Sequence, residues 1–486
     1  MRKLFFLLVL CASSAFAAGI TPAEYAARRA RLASQIGANG IVFVFSAPAA
    51  HRNGDVDYPF RQSDNLLYLT GIDEPETTLV LMPDEPKEIL FVRDRNPRQE
   101  LWTGKIPTHD EHSAISGVKI VESATRAAGF LGAAIDGAPY SFGNAQAPPY
   151  QPPAFPAFLR AVRDGRAEVW VAFPSRRRDD PTSAEQKFAA DVARRFPDVK
   201  VRDATPLLRA MRVLKSPAEI ARLERAIQIS DAGQKAGMKR ALTASRENEV
   251  QATIEFTFRD MGACCLGYPS IVASGKNATT LHYVRDDAPI ARGELMLVDV
   301  GSEVEGYTAD VTRTYPASGK FSDAQRAIYE AVFKAQEASI ALMRPGHTFR
   351  EMNDKAVEIL GAELLKFGLI SKNDPAQIRW YLPYPISHQI GLDVHDVVEP
   401  GTPFLENMVV TNEPGIYVRR DDVQSSETFT ALPAAEQQSI RAALDRYDGI
   451  GVRIEDDLLI TDGAPRLLSS NSPRTVAAIE QFLSSP

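Results

Sequence analysis

Cysteine is nearly missing from this sequence: three occur in 486 residues, at Cys11, Cys264 and Cys265. Cys11 lies in an apolar N-terminal run. Cys264 and Cys265 are neighbours, and a disulfide between neighbours closes a strained ring, so no cross-linked framework stabilises the fold. The expectation for that pair is two small buried side chains. Positive charge is short as well. Lys and Arg number 55 against 62 Asp and Glu, a formal net charge of −7 without a long basic run. That balance argues against nucleic acid or an anionic membrane as the main partner. Beyond the N-terminus no apolar stretch approaches the roughly 20 residues that span a bilayer. Short-period repeats and low-complexity tracts are also missing. Histidine occurs only 7 times.

What is present is the composition of a folded protein, 44% hydrophobic and 24% charged, with a length that suggests two or three domains. The first residues stand apart. Arg2 and Lys3 precede the apolar run Leu4 to Ala12, and Ala15-Phe16-Ala17 is a small-x-small cleavage pattern. Residues 1–18 read as a secretory signal peptide. The expected mature protein is exported, periplasmic or secreted, with no membrane attachment after cleavage.

Thr21-Pro22-Ala23-Glu24 is a capping box with proline at the first helical position. Strand candidates follow at 41–45, 79–82, 89–92 and 169–173, with helical stretches such as Ala184 to Arg195 between them. This alternation predicts an α/β N-terminal domain over residues 19–205. The segment from Ala138 to Pro156, rich in Pro, Ala and Tyr, reads as a loop. A second capping box, Ser216-Pro217-Ala218-Glu219, opens a long helix to about Leu242, and a third begins at Ser322. Strands at 295–300, 307–315, 408–413 and 450–460 are spaced for an antiparallel sheet, so residues 206–486 read as an α+β domain.

Carboxylates stand where the apolar strands of this domain stop. Asp299 ends Leu295-Met296-Leu297-Val298, and Asp310 lies on the next strand. A hairpin turning at Val304-Glu305 would put Asp299 directly opposite Asp310, with Cβ atoms about 4.5–5.5 Å apart. Two carboxylates that close repel, and either a cation between them or a separate Arg partner for each, with Arg313 at hand, resolves the conflict. Glu413 follows Met408-Val409-Val410-Thr411-Asn412, and Glu455 shares a strand face with Arg453. His388 and His395 lie in the Gly-containing segment Ser387 to Asp396. Four carboxylates and one imidazole make a hard, oxygen-rich donor set suited to Mn²⁺, with Co²⁺ or Zn²⁺ as alternatives. Two such ions can activate water for hydrolysis of a stable bond.

At these residues the sequence resembles the pita-bread metallopeptidases, in particular the Xaa-Pro aminopeptidase (aminopeptidase P) and Xaa-Pro dipeptidase (prolidase) branch, over nearly the whole mature chain. The resemblance implies a curved antiparallel sheet flanked by helices behind an aminopeptidase P-like N-terminal domain. It implies that Asp299, Asp310, His388, Glu413 and Glu455 ligate two divalent ions sharing a bridging hydroxide. It further implies that Glu413 is the general base, that His282 and His395 bind substrate and handle protons, that Arg453 supports the site, and that Tyr268 and Tyr384 line the substrate pocket. Tyr58 to Gly71 and Phe91 to Arg95 look like the non-catalytic domain of this branch. Trp102 resembles a tryptophan that reaches a neighbouring subunit's substrate site in family oligomers, which are dimers or tetramers. Two departures stand out. Tyr384-Pro385 replaces the family's His-Gly four residues before the ligand histidine. No Arg or Lys occurs from Val397 to Met408, where the dipeptidase branch holds a dipeptide's carboxylate. The expected activity is release of the N-terminal residue from peptides with proline second. Dipeptidase activity and a non-catalytic peptide-binding module are the alternatives.

Overall fold

Both faces of the central N-terminal strand are buried, and its period-two pattern divides the core. In Gly40–Phe45, Ile41 and Phe43 join one apolar cluster while Val42 and Val44 join another. The computed structural model describes residues 19–143, 155–174, 179–399 and 401–486. The expected signal peptide, and residues 144–154 of the expected loop, lie outside them. The strand belongs to a mixed six-stranded sheet in the order 120–123, 88–92, 78–81, 40–45, 168–171, 200–203. The edge strands Ile120–Ser123 and Lys200–Asp203 escaped the sequence reading because neither carries a continuous apolar run. One sheet face packs on helices through Phe130 and Phe158. The other contributes Leu79, Leu81 and Leu90 to a core that includes Tyr307, Ile390, Leu392 and Val409 of the second half. Arg61–Glu303 (2.9 Å) and Arg212–Asp64 (3.1 Å) add ion pairs across that boundary.

The capping signals place the helices. Ser216 and Ser322 form full capping boxes at the starts of Pro217–Ala241 and Asp323–Ile340. Thr21 forms only half of one. Its side chain accepts from Glu24 N, but the Glu24 carboxylate instead accepts from Arg28 (2.6 Å) and Ser216 Oγ (2.7 Å). Among the described residues no helix is long and apolar enough to cross a membrane.

All strand pairs of the second half are antiparallel. The hairpin carrying Asp299 and Asp310 turns at Glu305-Gly306, not at Val304-Glu305. Both turn residues have positive φ, 50° and 85°, so Val304 pairs with Tyr307 and Asp299 pairs with Thr312. The expected register was therefore off by two. An even shift preserves the face, so the two aspartates still point the same way. The site across from Asp310 must be glycine: a Cβ on Gly301 would lie 2.0 Å from the Ala309 carbonyl oxygen and 2.7 Å from the Tyr268 ring.

Candidate metal centre

Asp299, Asp310, Glu413 and Glu455 stand at strand ends and His388 in the irregular segment before Gln389, and all five line one cavity of about 560 Å³. Tyr268, His282, Tyr384, His395 and Arg453 line the same cavity. Trp102 does not. It is 85% exposed on the short helix Pro97–Thr103, far from substrate contact within this chain.

The aspartates meet at one phenol. Tyr268 Oη lies 2.6 Å from Asp299 Oδ1 and 2.6 Å from Asp310 Oδ1. A phenol has a single proton, so it cannot satisfy two ionised carboxylates. The other Asp310 oxygen faces His388 Nε2 at 3.4 Å, and the same nitrogen is 3.5 Å from Glu413 Oε1. His388 Nδ1 donates to the Gln389 carbonyl at 3.1 Å, which turns Nε2 toward the carboxylates as a donor in the metal-free protein and as the metal-binding atom once its proton is displaced. One ligand atom each from Asp310, His388 and Glu455 lie within 4.8 Å of one another.

Arg313 compensates none of these carboxylates. It points to the opposite side, fully buried, donating to Asp456 (2.8 Å) and the Ser469 carbonyl (2.9 Å). The cation at the site is Arg453. It is hydrogen-bonded to Asp299, donates to Tyr417 Oη at 2.8 Å and to Thr312 Oγ1 at 3.1 Å. Thr312 in turn donates to Glu455 at 2.6 Å. Four carboxylates against one guanidinium leave an excess of negative charge in a buried wall. Oxygen-rich donors, an imidazole with its tautomer held and this charge deficit all suit divalent cations.

Several supporting residues were not singled out from the sequence. Thr312 could have been, since it shares the Asp310 face two residues on. Asp457, two beyond Glu455, accepts from Asp310 N at 3.0 Å. Tyr417 ties Tyr384 (2.7 Å) to Arg453. Glu247 had no sequence signal because it arrives from a separate helix, Glu247–Asp260. Fully buried, it accepts from Ser274 N (2.7 Å) and Oγ (2.8 Å), Asn277 Nδ2 (3.0 Å), Tyr283 Oη (2.9 Å) and Ala288 N (2.9 Å). That network anchors the loop in which His282 precedes Tyr283.

Without a metal ion, burial favours the protonated form of three of the four carboxylates. Burial pushes Glu413 up to about 7, against the pull of His388 and Arg453. Burial and the neighbouring Asp310 raise Glu455 well above its ordinary value, and burial raises Asp299 despite Arg453. For His388 burial works the other way, but hydrogen bonding to Asp310 and the charge of Glu413 outweigh it and hold the ring near 9. Asp310 is lowered, because the same contacts with His388 overcome its burial.

An arrangement of buried carboxylates and one imidazole around a substrate-sized cavity is that of a metal-dependent hydrolase. The profile of metallopeptidase family M24 matches residues 221–462, and that of the aminopeptidase P N-terminal domain matches residues 25–141. The chain is 32% identical to the Xaa-Pro aminopeptidase of Haemophilus influenzae, over 96% of this chain and 99% of that protein. It belongs to metallopeptidase family M24. Escherichia coli aminopeptidase P with the inhibitor Pro-Leu superposes with a TM-score of 0.78 at 29% identity, over 96% of this chain and 99% of that one. The zinc-substituted E. coli aminopeptidase P in complex with product does so with a TM-score of 0.77 at 28% identity, over the same shares of 96% and 99%. As a family M24 protein the chain is a metallopeptidase that uses divalent ions.

The protonation pattern sets a stability profile for the metal-free protein. Glu413 binds its proton more tightly folded than unfolded, so stability falls as pH rises from its ordinary 4.5 to about 7. His388 contributes stability that is complete below its ordinary 6.5 and lost as pH rises through about 9. The signs agree, and the lowered Asp310 acts only in acid. The melting temperature of the metal-free protein is expected to fall between pH 5 and pH 9, and added Mn²⁺ to raise it more at pH 8 than at pH 6, because the ions replace protons. Scanning calorimetry with and without Mn²⁺ checks this. A metal-free melting temperature that climbs with pH would contradict it.

Proposed function

We propose that this metallopeptidase is an Xaa-Pro aminopeptidase, with Mn²⁺ as its working ion and Co²⁺ or Zn²⁺ as substitutes. The observation that carries the reading is the convergence of Asp299, Asp310, His388, Glu413 and Glu455 on one cavity with apolar walls. One Asp310 oxygen meets the Tyr268 hydroxyl that it shares with Asp299, and the other faces His388. Together Asp299, Asp310, His388, Glu413 and Glu455 would hold two divalent ions.

Bound there, two divalent ions supply Lewis acidity and lower the pKa of the attacking water. Glu413 takes the proton from that water and passes it to the leaving nitrogen. His395 stands edge-on to His388 with ring centroids 4.3 Å apart. Burial and the nearby His388 hold it below its ordinary value, so it is neutral at pH 7 and has one N–H to offer. His395 and His282 donate to the substrate carbonyl oxygen as charge builds on it. Arg453 holds Asp299 in place rather than touching substrate.

The second residue of the substrate meets Tyr384-Pro385, Ile271, Leu281 and Val284. Tyr384 is fixed by its hydrogen bonds to Tyr417 (2.7 Å) and the Glu413 carbonyl (3.1 Å). It gives a flat wall that suits a pyrrolidine ring. Among the described residues the only Arg or Lys in the cavity lining is Arg453, and its donors are engaged. Nothing there meets the carboxylate of a bound dipeptide, which favours aminopeptidase over dipeptidase action. The Mn²⁺-loaded protein is expected to release the first residue of Xaa-Pro-Xaa tripeptides at least about tenfold faster than it cleaves Xaa-Pro dipeptides, as a lost charge-assisted contact implies. Chromatographic product analysis at fixed Mn²⁺ reads this. Faster cleavage of the dipeptides would move the assignment to dipeptidase. Asp310→Ala should lose more than the roughly 10–100-fold typical of a supporting residue; retained binding with no wild-type hydrolysis under Mn²⁺ would leave a peptide-binding module.

Two further properties belong to the proposal. The charged and apolar pattern of residues 2–17 supports export to the periplasm or medium. Leu101 and Trp102, 82% and 85% exposed side by side, support a dimer or tetramer in which this surface is covered. Trp102→Ala is expected to lower the assembly state measured by light scattering, and a monomeric wild type would remove this part of the reading.

A further inference from the structure

Cys264 and Cys265 are not the two buried side chains expected from the sequence. Cys264 is exposed and Cys265 half-buried. Strand Cys265–Leu266 pairs with Ser302–Val304, which sets Cys265 opposite Glu303. Cys264 Sγ lies 3.4 Å from the Glu303 carbonyl oxygen and 3.8 Å from Glu303 Oε1. One ligand atom from each of Cys264, Cys265 and Glu303 lies within 4.8 Å of the other two. All three open on a second cavity of about 550 Å³ between the two halves of the chain, which shares no lining residue with the catalytic one.

We propose that Cys264, Cys265 and Glu303 form a binding site for a thiophilic divalent cation of the Zn²⁺ or Cd²⁺ type. Two sulfurs and a carboxylate oxygen are three of the four donors such an ion takes, and water from the cavity completes the tetrahedron. Zn–S bonds of about 2.3 Å place ligand atoms roughly 3.7 Å apart. Cys264 Sγ and Glu303 Oε1 are already 3.8 Å apart, and no pair needs to close by more than about 1 Å, within reach of the exposed Cys264 side chain. The charge closes as well. Two thiolates neutralise the ion, and Glu303 already has its partner in Arg61 Nε at 2.9 Å.

A disulfide is the competing fate of neighbouring thiols. The strand pairing of Cys265 and Leu266 holds the backbone extended, against the folded ring that a neighbouring disulfide needs. Partial desolvation of its sulfur against Cys265 and Glu303 pushes the Cys264 thiol up to about 12, so little thiolate is available for exchange. A cation binds by displacing protons: two S–H bonds break, two metal–sulfur bonds form, two protons leave and no electron is transferred.

The test uses the full chain, kept reduced with a phosphine and loaded with Mn²⁺ at the catalytic centre, then titrated with Cd²⁺. The catalytic cavity has no thiol, so a sulfur-to-cadmium charge-transfer band reports the new site alone. The band is expected to saturate at one Cd²⁺ per chain, with two protons released in weak buffer. Cys264→Ser with Cys265→Ser should abolish it while Mn²⁺-dependent peptidase activity persists, and Cys264→Ser alone should weaken it. Absence of the band in wild type whose Cys264 and Cys265 thiols titrate as free, or its persistence in the double variant, would overturn the proposal.

Discussion

Four carboxylates are held inside the protein against a single arginine, and the second half of the structure is arranged around that imbalance. Asp299 and Asp310 converge on one phenolic oxygen that has one proton to give. Glu455 is buried beside them, and Glu413 closes the set across His388. Charges that would be solvated on a surface are kept together by antiparallel strands whose apolar positions are committed to the core. Such an arrangement is unfavourable as it stands, and it becomes favourable when protons or cations neutralise it. The folded chain thereby stores, in the positions of its carboxylates, an affinity for divalent ions.

The support around this cluster is directional. Arg453 is oriented by Thr312 and Tyr417, the imidazole of His388 by a backbone carbonyl, and the backbone of Asp310 by Asp457. These contacts fix which atoms face the cavity. Tyr417 also bonds Tyr384, so the Tyr384 wall of the cavity and the arginine that steadies Asp299 belong to one hydrogen-bonded chain. Glu247 plays the corresponding part on the far wall, binding five donors to hold the His282 loop.

Much of this was legible in the sequence, because carboxylates at the ends of apolar strands are conspicuous. The face shared by Asp299 and Asp310 followed from period-two alternation, and it survived a register that was wrong by two, since even slips preserve the face. The turn itself was misplaced because Glu305 adopts positive φ, which its identity does not advertise. Choosing between Arg313 and Arg453 as the compensating cation was beyond sequence spacing. Arg313 pairs Val298 rather than Asp299, and so lies on the opposite face. The cysteine pair was misjudged for a similar reason: small and apolar residues tend to be buried, but Cys264 follows a surface turn that ends at the positive-φ Gly262 and is exposed. The resemblance to the metallopeptidases assigned roles, such as those of His282 and His395, that isolated histidines never announce.

The central claim is that the buried carboxylates exist to hold two ions. Anomalous diffraction from crystals grown with Mn²⁺ tests it directly. Two peaks are expected in the catalytic cavity, each within bonding distance of side chains drawn from Asp299, Asp310, His388, Glu413 and Glu455. Ordered protein side chains with no anomalous peak between them at saturating Mn²⁺ would contradict it.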